Sequence, residues 1–235
     1  MNVEVEVPTA RMVLASSTLL GSLSPEQMDR LLVRSRMAHA ARGEVIWMDG
    51  SEIPYFGVVG TGFVKMVRTS AGGQELTAEI MGPGQSFGLL GAVEGTGCPL
   101  SARAVSNLWY LRVSKADFLE VYGQNVPLRD HLIRRTTLRL RGAIDMMSRM
   151  ASGRVEHRIA AVLIQLAESY GIEEPDGSMR LEVPLSRQDL AELAGTTVET
   201  TIRITSRWTK QGVLKAQYRS LTIQNLGRLL EILGD

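Results

Sequence analysis

Two side chains of opposite charge, Glu199 and Arg203, lie four residues apart in the C-terminal part of the chain. On a helix this spacing places both on one face. A glutamate accepts a hydrogen bond from the amino group of cytosine, and an arginine makes a bidentate contact with O6 and N7 of guanine. The pair therefore has the chemistry for recognising base edges in the DNA major groove. The same spacing also fits an ordinary intrahelical salt bridge, and both arrangements are compatible, since the bridge would orient the arginine.

The residues before this pair predict two short helices joined by a glycine turn. Ser186 is a suitable N-cap for the first helix, and Asp189, three residues later, completes a capping box. Gly195 ends that helix, because glycine readily adopts the left-handed conformation of a C-terminal cap, and Thr196–Thr197 can cap the next helix. The buried face of the first helix is expected to contain Leu190, Leu193 and Ala194.

The second helix, predicted over Val198–Gln211, has one inward and one outward face. The inward positions recur at helical spacing and are Thr201, Ile204 and Trp208. The outward positions near the N-terminus are Val198, Glu199, Ile202 and Arg203. A helix, a tight turn and a second helix form the helix-turn-helix pattern, whose second helix enters the major groove.

The segment Val213–Ile223 predicts two short strands with a polar turn, the wing of a winged helix. Lys215 and Arg219 in this wing would contact phosphates, or would simply keep the surface polar. Residues 1–125 carry a net charge of −2 and residues 126–235 a net charge of +3. This weak asymmetry is compatible with phosphate contact and equally with a solvated surface.

A long helix is predicted upstream, from about Val126 to Ala151. Its apolar positions alternate in spacings of four and three, which is typical of a coiled-coil seam. We refer to this long helix as α5 and to the following set as the α5 seam: Ile133, Thr137, Leu140, Ile144, Met147 and Ala151. A second apolar stripe lies on another face: Leu128, Leu132, Thr136, Ala143, Met146 and Met150. Two faces favour two partners, the N-terminal part of the same chain and a second copy; the alternative is one wide stripe buried in a monomer.

The following stretch predicts one more helix and a loop, and the N-terminal half predicts strands. The helix runs from Val155 to about Tyr170, and Gly171–Gly177 is a loop by composition. Thirteen of the 23 glycines lie between Gly43 and Gly97, among short apolar or alternating segments. Such spacing indicates a β-barrel or jelly roll, with a hairpin turn at Ala71–Gln74. Ser114 is then expected to cap a short helix.

The composition excludes several classes of protein. The chain has 235 residues, a formal net charge of +1 and 44% hydrophobic residues, as in an ordinary globular protein. A single cysteine, Cys98, excludes a disulfide framework, a four-thiolate zinc site or an iron–sulfur cluster built from one chain. No apolar run reaches the roughly 18–20 residues of a membrane span, and Met1–Pro8 lacks the features of a signal peptide, so a cytoplasmic location without membrane contact is expected.

An enzyme of the jelly-roll metal type is the first rival interpretation. Such chemistry needs histidine and carboxylate ligands clustered on the barrel, and His39 is the only histidine in or beside it. The sequence has neither a phosphate-binding Gly-x-x-x-x-Gly-Lys-Ser/Thr loop nor a Gly-x-Ser-x-Gly elbow. The chain is therefore expected not to be an enzyme.

These motifs together resemble the CRP/FNR superfamily of bacterial transcription regulators, over nearly the whole chain after about residue 17. The resemblance rests on these segments: Gly43–Ile46, Gly50, Gly62–Val64, Gly84–Gly88, Arg158–Ala160 with Leu166–Ala167, and Leu185–Ala191. It implies an α+β fold with an N-terminal cyclic-nucleotide-binding-type β-roll, or jelly roll, a long dimerisation helix and a C-terminal winged helix-turn-helix. The implied boundaries are residues 1–125, which include N-terminal helices, then 126–152 and 153–235.

The resemblance also assigns the DNA contacts. Thr197–Thr200 is similar to the FNR branch, since the CRP branch has arginine where Val198 stands, and the family's Glu-x-x-x-Arg pair falls on Glu199 and Arg203. The FNR branch has serine at the position of Ile202, where isoleucine can only touch a thymine methyl group, so the half-site is expected to differ at one base pair. The expected DNA-contacting residues are Arg187, Thr197, Val198, Glu199, Ile202, Arg203 and Lys215. The implied partners are double-stranded DNA with TTGA- or TGA-containing half-sites in a palindrome, a second copy of the chain, and RNA polymerase.

The nucleotide cassette of the family is degraded in this sequence. Gly88 is followed by Leu89-Leu90 instead of a carboxylate, and Cys98-Pro99 replaces the Arg-Ser pair that holds the cyclic phosphate. On the long helix, Ala143-Ile144 replaces the Thr-Ser pair that contacts adenine in the CRP branch. The expected effector pocket is Phe87, Gly88, Leu89, Leu90, Cys98, Pro99, Ala143 and Ile144. Cyclic AMP is therefore not expected, and FNR's iron–sulfur cluster is excluded because its cysteines are absent.

Several kinds of control stay open. An unknown apolar effector would suit the neutral pocket and would shift the paired long helices, placing the recognition helices about 34 Å apart, one turn of DNA. Haem, in a gas or redox sensor, would have few candidate ligands: Cys98, His39 and His131, with His157 beyond the long helix and poorly placed. Cys98 is either a redox switch or inert packing, and a regulator controlled only by its abundance needs no effector. A ligand-binding module without DNA binding is a rival of another class, against which the Glu199/Arg203 helix argues.

Overall fold

The computed structural model describes residues 7–95, 97–217 and 219–234, and in one helix the side chains of Arg149, Ala151 and Ser152 lie outside the described residues. The predicted interface position Ala151 is therefore not described. The chain divides into two compact units. The first holds the described residues up to Arg68 together with Ala78–Thr137, and the second holds Thr69–Thr77 together with the described residues from Leu138 onward.

Eight strands form a β-roll of two four-stranded sheets. The strands are β1 (Arg36–Ala40), β2 (Val45–Trp47), β3 (Tyr55–Thr61), β4 (Val64–Thr69), β5 (Glu75–Met81), β6 (Ser86–Phe87), β7 (Ser101–Ala104) and β8 (Leu108–Ser114). The strand orders are β1-β8-β3-β6 and β2-β7-β4-β5. The predicted hairpin turn between β4 and β5 is present, closed by a 2.8 Å hydrogen bond from Ser70 N to Gln74 O. The predicted jelly roll is confirmed.

Four helices accompany these strands: α1 (Ala10–Ala15), α2 (Pro25–Arg34), α3 (Leu89–Glu94) and α4 (Lys115–Gln124). Ser114 caps α4 as predicted, since its side chain accepts a hydrogen bond from Asp117 N. The core of the first unit has two clusters of buried side chains. One contains Phe56 and Phe118, and the other contains Trp47, Phe87 and Tyr110.

The second unit contains a helical bundle and a small sheet. Its elements are the C-terminal part of α5 (Val126–Ser152), then α6 (Val155–Tyr170), β9 (Gly171–Glu173), β10 (Met179–Leu181), α7 (Arg187–Ala194), α8 (Val198–Lys210), β11 (Leu214–Gln217), β12 (Ser220–Ile223) and α9 (Leu226–Gly234). The sheet order is β11-β12-β10-β9, so the predicted wing forms its β11–β12 edge. The loop prediction for Gly171–Gly177 is wrong over its first three residues, because they pair with β10.

The long helix α5 leaves its seam in solvent. Ile133, Leu140, Ile144 and Met147 are 61%, 60%, 55% and 68% exposed, and Thr137 is exposed as well. The second stripe behaves differently at its start, since Leu128 is buried and Leu132 packs against the core of the first unit. Only the start of the second stripe is thus packed within the chain, since its later members Thr136, Ala143 and Met150 are exposed like the seam. None of the helices in the described ranges combines the length and apolar character that a membrane crossing requires.

Candidate nucleic-acid interface

The turn between α7 and α8 is built by the caps that the sequence predicts. Ser186 and Asp189 form a capping box at the start of α7, with each side chain bonded to the other residue's backbone N–H. Gly195 ends α7 in the left-handed conformation, at φ 59° and ψ 48°. Thr197 caps α8, since its hydroxyl accepts a hydrogen bond of 3.2 Å from Thr200 N. These local bonds fix where α8 begins and which side chains face outward.

The inner face of α8 is buried. Thr201, Ile204 and Trp208 are buried as predicted, and Thr205, which was not predicted, is buried as well. The two threonine hydroxyls make their hydrogen bonds within the helix, because those of Thr201 and Thr205 donate to the carbonyl oxygens four residues earlier. On α7 the prediction was incomplete, since Ala191 and Glu192 are buried and Leu193 is only half-buried.

One acidic side chain anchors the C-terminal half of α8 to α6. The Glu156 carboxylate accepts a 2.9 Å hydrogen bond from the Trp208 indole N–H and lies 2.5 Å from an Arg207 guanidinium nitrogen. The partners are about fifty residues apart in the chain, so no spacing rule identifies this contact. It complements the helix dipole as well, since Glu156 lies in the first turn of α6.

The outer face of α8 carries the predicted base-contacting residues in solvent. Glu199 and Arg203 are exposed, Ile202 is 46% exposed, and Val198 is half-buried. Within the residues that the structure describes, neither the Glu199 carboxylate nor the Arg203 guanidinium has a hydrogen-bond or ion-pair partner. The alternative salt bridge is therefore not formed, and both charged groups keep all their hydrogen-bonding capacity for another molecule.

Three further residues, Arg187, Thr197 and Lys215, were also predicted to contact DNA. Arg187, the first residue of α7, is half-buried, and burial lowers the pKa of its guanidinium. In the described part of the chain it has no anionic partner, and a partly desolvated cation of this kind gains from binding an anion. Lys215 is exposed on β11, and Thr197 is exposed at the α8 cap.

The predicted effector residues are not all in one place. Phe87 and Cys98 belong to the same buried cluster, whereas Leu89 packs into the other cluster. Leu90 and Pro99 are exposed. Ala143 and Ile144, also exposed, belong to the second unit.

A tryptophan occupies the space beside the predicted pocket residues. The Trp47 ring stacks on Phe87 with centroids 5.1 Å apart, and its indole N–H donates to Leu100 O at 3.1 Å. A Cβ added to Gly88 would lie 2.7 Å from the Trp47 ring. This contact could not be predicted from the sequence, since Trp47 and Gly88 are distant in the chain.

The potential haem ligands lie on different elements of the fold. Cys98 is buried, and burial raises the pKa of its thiol. His39 is exposed on β1, with its ring 5.0 Å from that of Trp109, and His131 is half-buried on α5. Within residues 7–95, 97–217 and 219–234, no three His, Cys, Asp or Glu side chains are grouped so that they could hold a metal ion.

Comparisons with known proteins match both halves of the chain. A model of the cyclic nucleotide-binding domain matches residues 37–125, and a model of the Crp-like helix-turn-helix domain matches residues 157–232. The chain is 27% identical over 217 residues to the cyclic AMP receptor protein of Thermus thermophilus, covering 92% of this chain and 96% of that protein. It is 23% identical over 209 residues to the anaerobic regulatory protein of Aggregatibacter actinomycetemcomitans, covering 89% and 80%.

A solved structure agrees with this fold. FixK2 from Bradyrhizobium japonicum matches with a TM-score of 0.76 at 23% identity, covering 85% of this chain and 98% of that chain. The two domain models match the chain in the same order as the folded parts. The first covers the β-roll, and the second covers the helix-turn-helix with its wing. The chain belongs to the CRP/FNR family of DNA-binding transcription regulators.

Proposed function

We propose that this chain is a homodimeric regulator that recognises a palindromic DNA site with two copies of α8. The observation that carries this proposal is the outer face of α8, where Glu199, Ile202 and Arg203 are exposed and the two charged groups have no partner in the described residues. Their chemistry suits a cytosine amino group, a thymine methyl group and a guanine edge. Because its target is chromosomal DNA, the regulator would act in the cytoplasm.

The dimer follows from the α5 seam. Four large apolar side chains at heptad spacing, Ile133, Leu140, Ile144 and Met147, are each more than half exposed. A matching seam on a second copy would bury them, with knobs-into-holes packing as in a coiled coil. Two copies related by a two-fold axis would present two α8 helices to half-sites about 34 Å apart, and this symmetry requires a palindrome.

Phosphate contacts would set the register on the duplex. Arg187, half-buried and without an anionic partner in the described residues, is suited to a DNA phosphate beside the start of α7. Lys215 would contact the backbone from the wing, and the N–H groups near the capped start of α8 would add helix-dipole attraction for phosphate. These contacts contribute affinity, while Glu199, Ile202 and Arg203 contribute specificity.

Control would not use cyclic AMP. The expected carboxylate and cation positions are occupied by Leu89, Cys98 and Pro99, and a phosphate would therefore lose its water without gaining a charged partner. The stacked rings of Trp47 and Phe87 fill the adjacent core. We expect an apolar effector or none. Calorimetric titration with cyclic AMP should give no heat of binding, and a stoichiometric, saturable signal would contradict this part of the proposal.

The function is tested by selecting bound duplexes from a random DNA pool with the purified full-length chain, with and without cell extract. We expect enrichment of a palindrome with half-sites centred one helical turn apart. Enrichment of a single, non-repeated half-site would contradict the dimeric mode, and no enrichment in either condition would contradict DNA recognition itself.

A further inference from the structure

One arginine outside the outer face of α8 binds three backbone carbonyl groups at once. The Arg158 guanidinium donates through Nε to Ala194 O at 2.9 Å, through Nη1 to Gly153 O at 3.1 Å and through Nη2 to Gly195 O at 3.2 Å. In the described residues it has no carboxylate partner. Its planar group is therefore committed to the backbone in a single orientation.

The three carbonyl groups belong to two segments that determine where α8 lies. Ala194 is the last residue of α7 and Gly195 its left-handed cap, so two of the bonds hold the turn that leads into α8. Gly153 lies in the two-residue link between α5 and α6. Carbonyl groups at a helix C-terminus lack partners within the helix, and a cation there is favoured by the helix dipole.

The neighbouring packing joins the same two segments. A Cβ added to Gly195 would lie 2.4 Å from Cε of Met150, in the last turn of α5. The C-terminal end of α5, the α5–α6 link and the α7–α8 turn thus lie next to one another. Arg158 forms hydrogen bonds to both the link and the turn. A Met150 side chain is flexible and fixes no angle, whereas three hydrogen bonds from one planar group do.

We propose that Arg158 is a positioning residue that sets the angle between α5 and the helix-turn-helix, and thereby the half-site spacing that the dimer accepts. This proposal rests on the proposed function, in which α5 pairs two copies. A residue that only stabilised the fold would change affinity for all spacings alike, whereas a residue that sets the angle changes the preference among spacings.

The first test measures affinity for palindromes whose half-site separation is shortened or lengthened by one base pair at a time. Wild type is expected to prefer one separation. Arg158→Met is expected to bind that preferred site about tenfold more weakly, the loss of roughly one net charged hydrogen bond. Its affinity for the neighbouring spacings should change much less, so the preference flattens. Thermal unfolding of each variant shows whether it is folded.

Two variants separate geometry from charge. Arg158→Lys keeps the charge, but one ammonium group cannot span three carbonyl groups in the same plane. It is expected to flatten the spacing preference as the methionine does, and it replaces that variant if Arg158→Met does not fold. Arg154→Met is the matched control, since Arg154 is exposed in the same link and its side chain has no hydrogen-bond or ion-pair partner in the described residues. Full recovery by lysine, or equal flattening in Arg154→Met, would overturn the proposal.

A second readout needs neither DNA nor a dimer. The distance between α5 and α8 is measured between spin labels at Arg141→Cys and Lys210→Cys, in a Cys98→Ala background. The labelled chains are diluted with unlabelled protein, so that only distances within one chain are measured. We expect a broader distance distribution in Arg158→Met than in the parent or in Arg154→Met. Equal widths would overturn the role of Arg158. If wild type bound no duplex, the proposed function would fail, while this comparison would still decide the role of Arg158.

Discussion

The interior of the β-roll and the outer face of α8 differ in the side chains that they present. The β-roll interior is packed with aromatic and uncharged residues, whereas α8 exposes charged ones. In the β-roll, Trp47 stacks on Phe87, and uncharged residues stand where the family places nucleotide-binding groups. On α8, Glu199 and Arg203 remain in solvent without partners in the described residues. We therefore expect the chain to recognise bases through α8 and not to bind a cyclic phosphate in the β-roll.

The largest expected effect comes from separating the two copies of α8 in the proposed dimer. Leu140→Glu places a charge in the α5 seam and should abolish the dimer, because a carboxylate pair at the contact would have to be desolvated. Operator affinity should then fall by about 100-fold or more, since the second half-site no longer binds intramolecularly. Sedimentation and gel-shift titration measure both quantities.

The control for this change is Leu138→Glu. Leu138 is 61% exposed, as Leu140 is 60% exposed, but it lies outside the seam. Dimer and operator affinity should survive this substitution. Equal damage in both variants would show that α5 does not pair through the predicted seam.

The next largest effect is expected on stability, from removing a buried aromatic ring in the β-roll. Trp47→Ala removes a ring that is 5% exposed, and such a deletion should lower the free energy of unfolding by about 3–5 kcal/mol. Denaturant unfolding followed by circular dichroism measures the change. The half-buried Trp109 is the matched position, and Trp109→Ala should cost clearly less. A small effect of Trp47→Ala would mean that the ring is not packed as a core side chain.

A smaller effect is expected at Arg187, the proposed phosphate contact. Arg187→Met should weaken binding about tenfold on every duplex and should reduce the slope of log affinity against log salt by about 1. Gel shifts at several salt concentrations measure both. Arg228→Met removes the same charge from α9, where Arg228 pairs with Glu231, and should leave the slope unchanged. A loss confined to one DNA sequence would instead make Arg187 a base contact.

The smallest expected effect concerns the thiol of Cys98. Burial raises its pKa, so the folded state holds the proton more tightly than the unfolded state does. The stability that this thiol contributes is fully present below its pKa in the unfolded chain and is lost as pH rises from there through the higher pKa of the folded state. Alkylation of the native chain should accordingly be slow at neutral pH and become fast on unfolding. Rapid reaction of the folded protein would indicate an accessible, reactive thiol and favour a redox switch.

Local interactions explain why much of the site could be predicted from the sequence. The caps at Ser186, Gly195 and Thr197 depend on residues at most three or four positions away, and the heptad spacing of α5 is likewise visible in the sequence. The structure reproduces each of these features. The outward direction of Glu199 and Arg203 followed from them.

The contacts that could not be predicted join residues far apart in the chain. Glu156 meets Trp208, Trp47 fills the space beside Gly88, and Arg158 reaches the turn at Gly195. Each depends on tertiary packing, which no periodicity encodes. The strand β9 was missed for a related reason, since Gly171–Glu173 is stabilised by pairing with β10 and has little intrinsic strand propensity.

The central claim, base recognition by α8, is tested most directly by measuring DNA affinity on four operators that differ only at the base pair assigned to Arg203. Wild type and Arg203→Ala are compared, and Lys210→Ala is the charge-matched control on the same helix. Wild type should favour its cognate base pair by about 1–3 kcal/mol, and Arg203→Ala should lose that preference while Lys210→Ala keeps it. An equal loss by Arg203→Ala on all four operators and on random DNA would reduce Arg203 to a phosphate contact and contradict base recognition by α8.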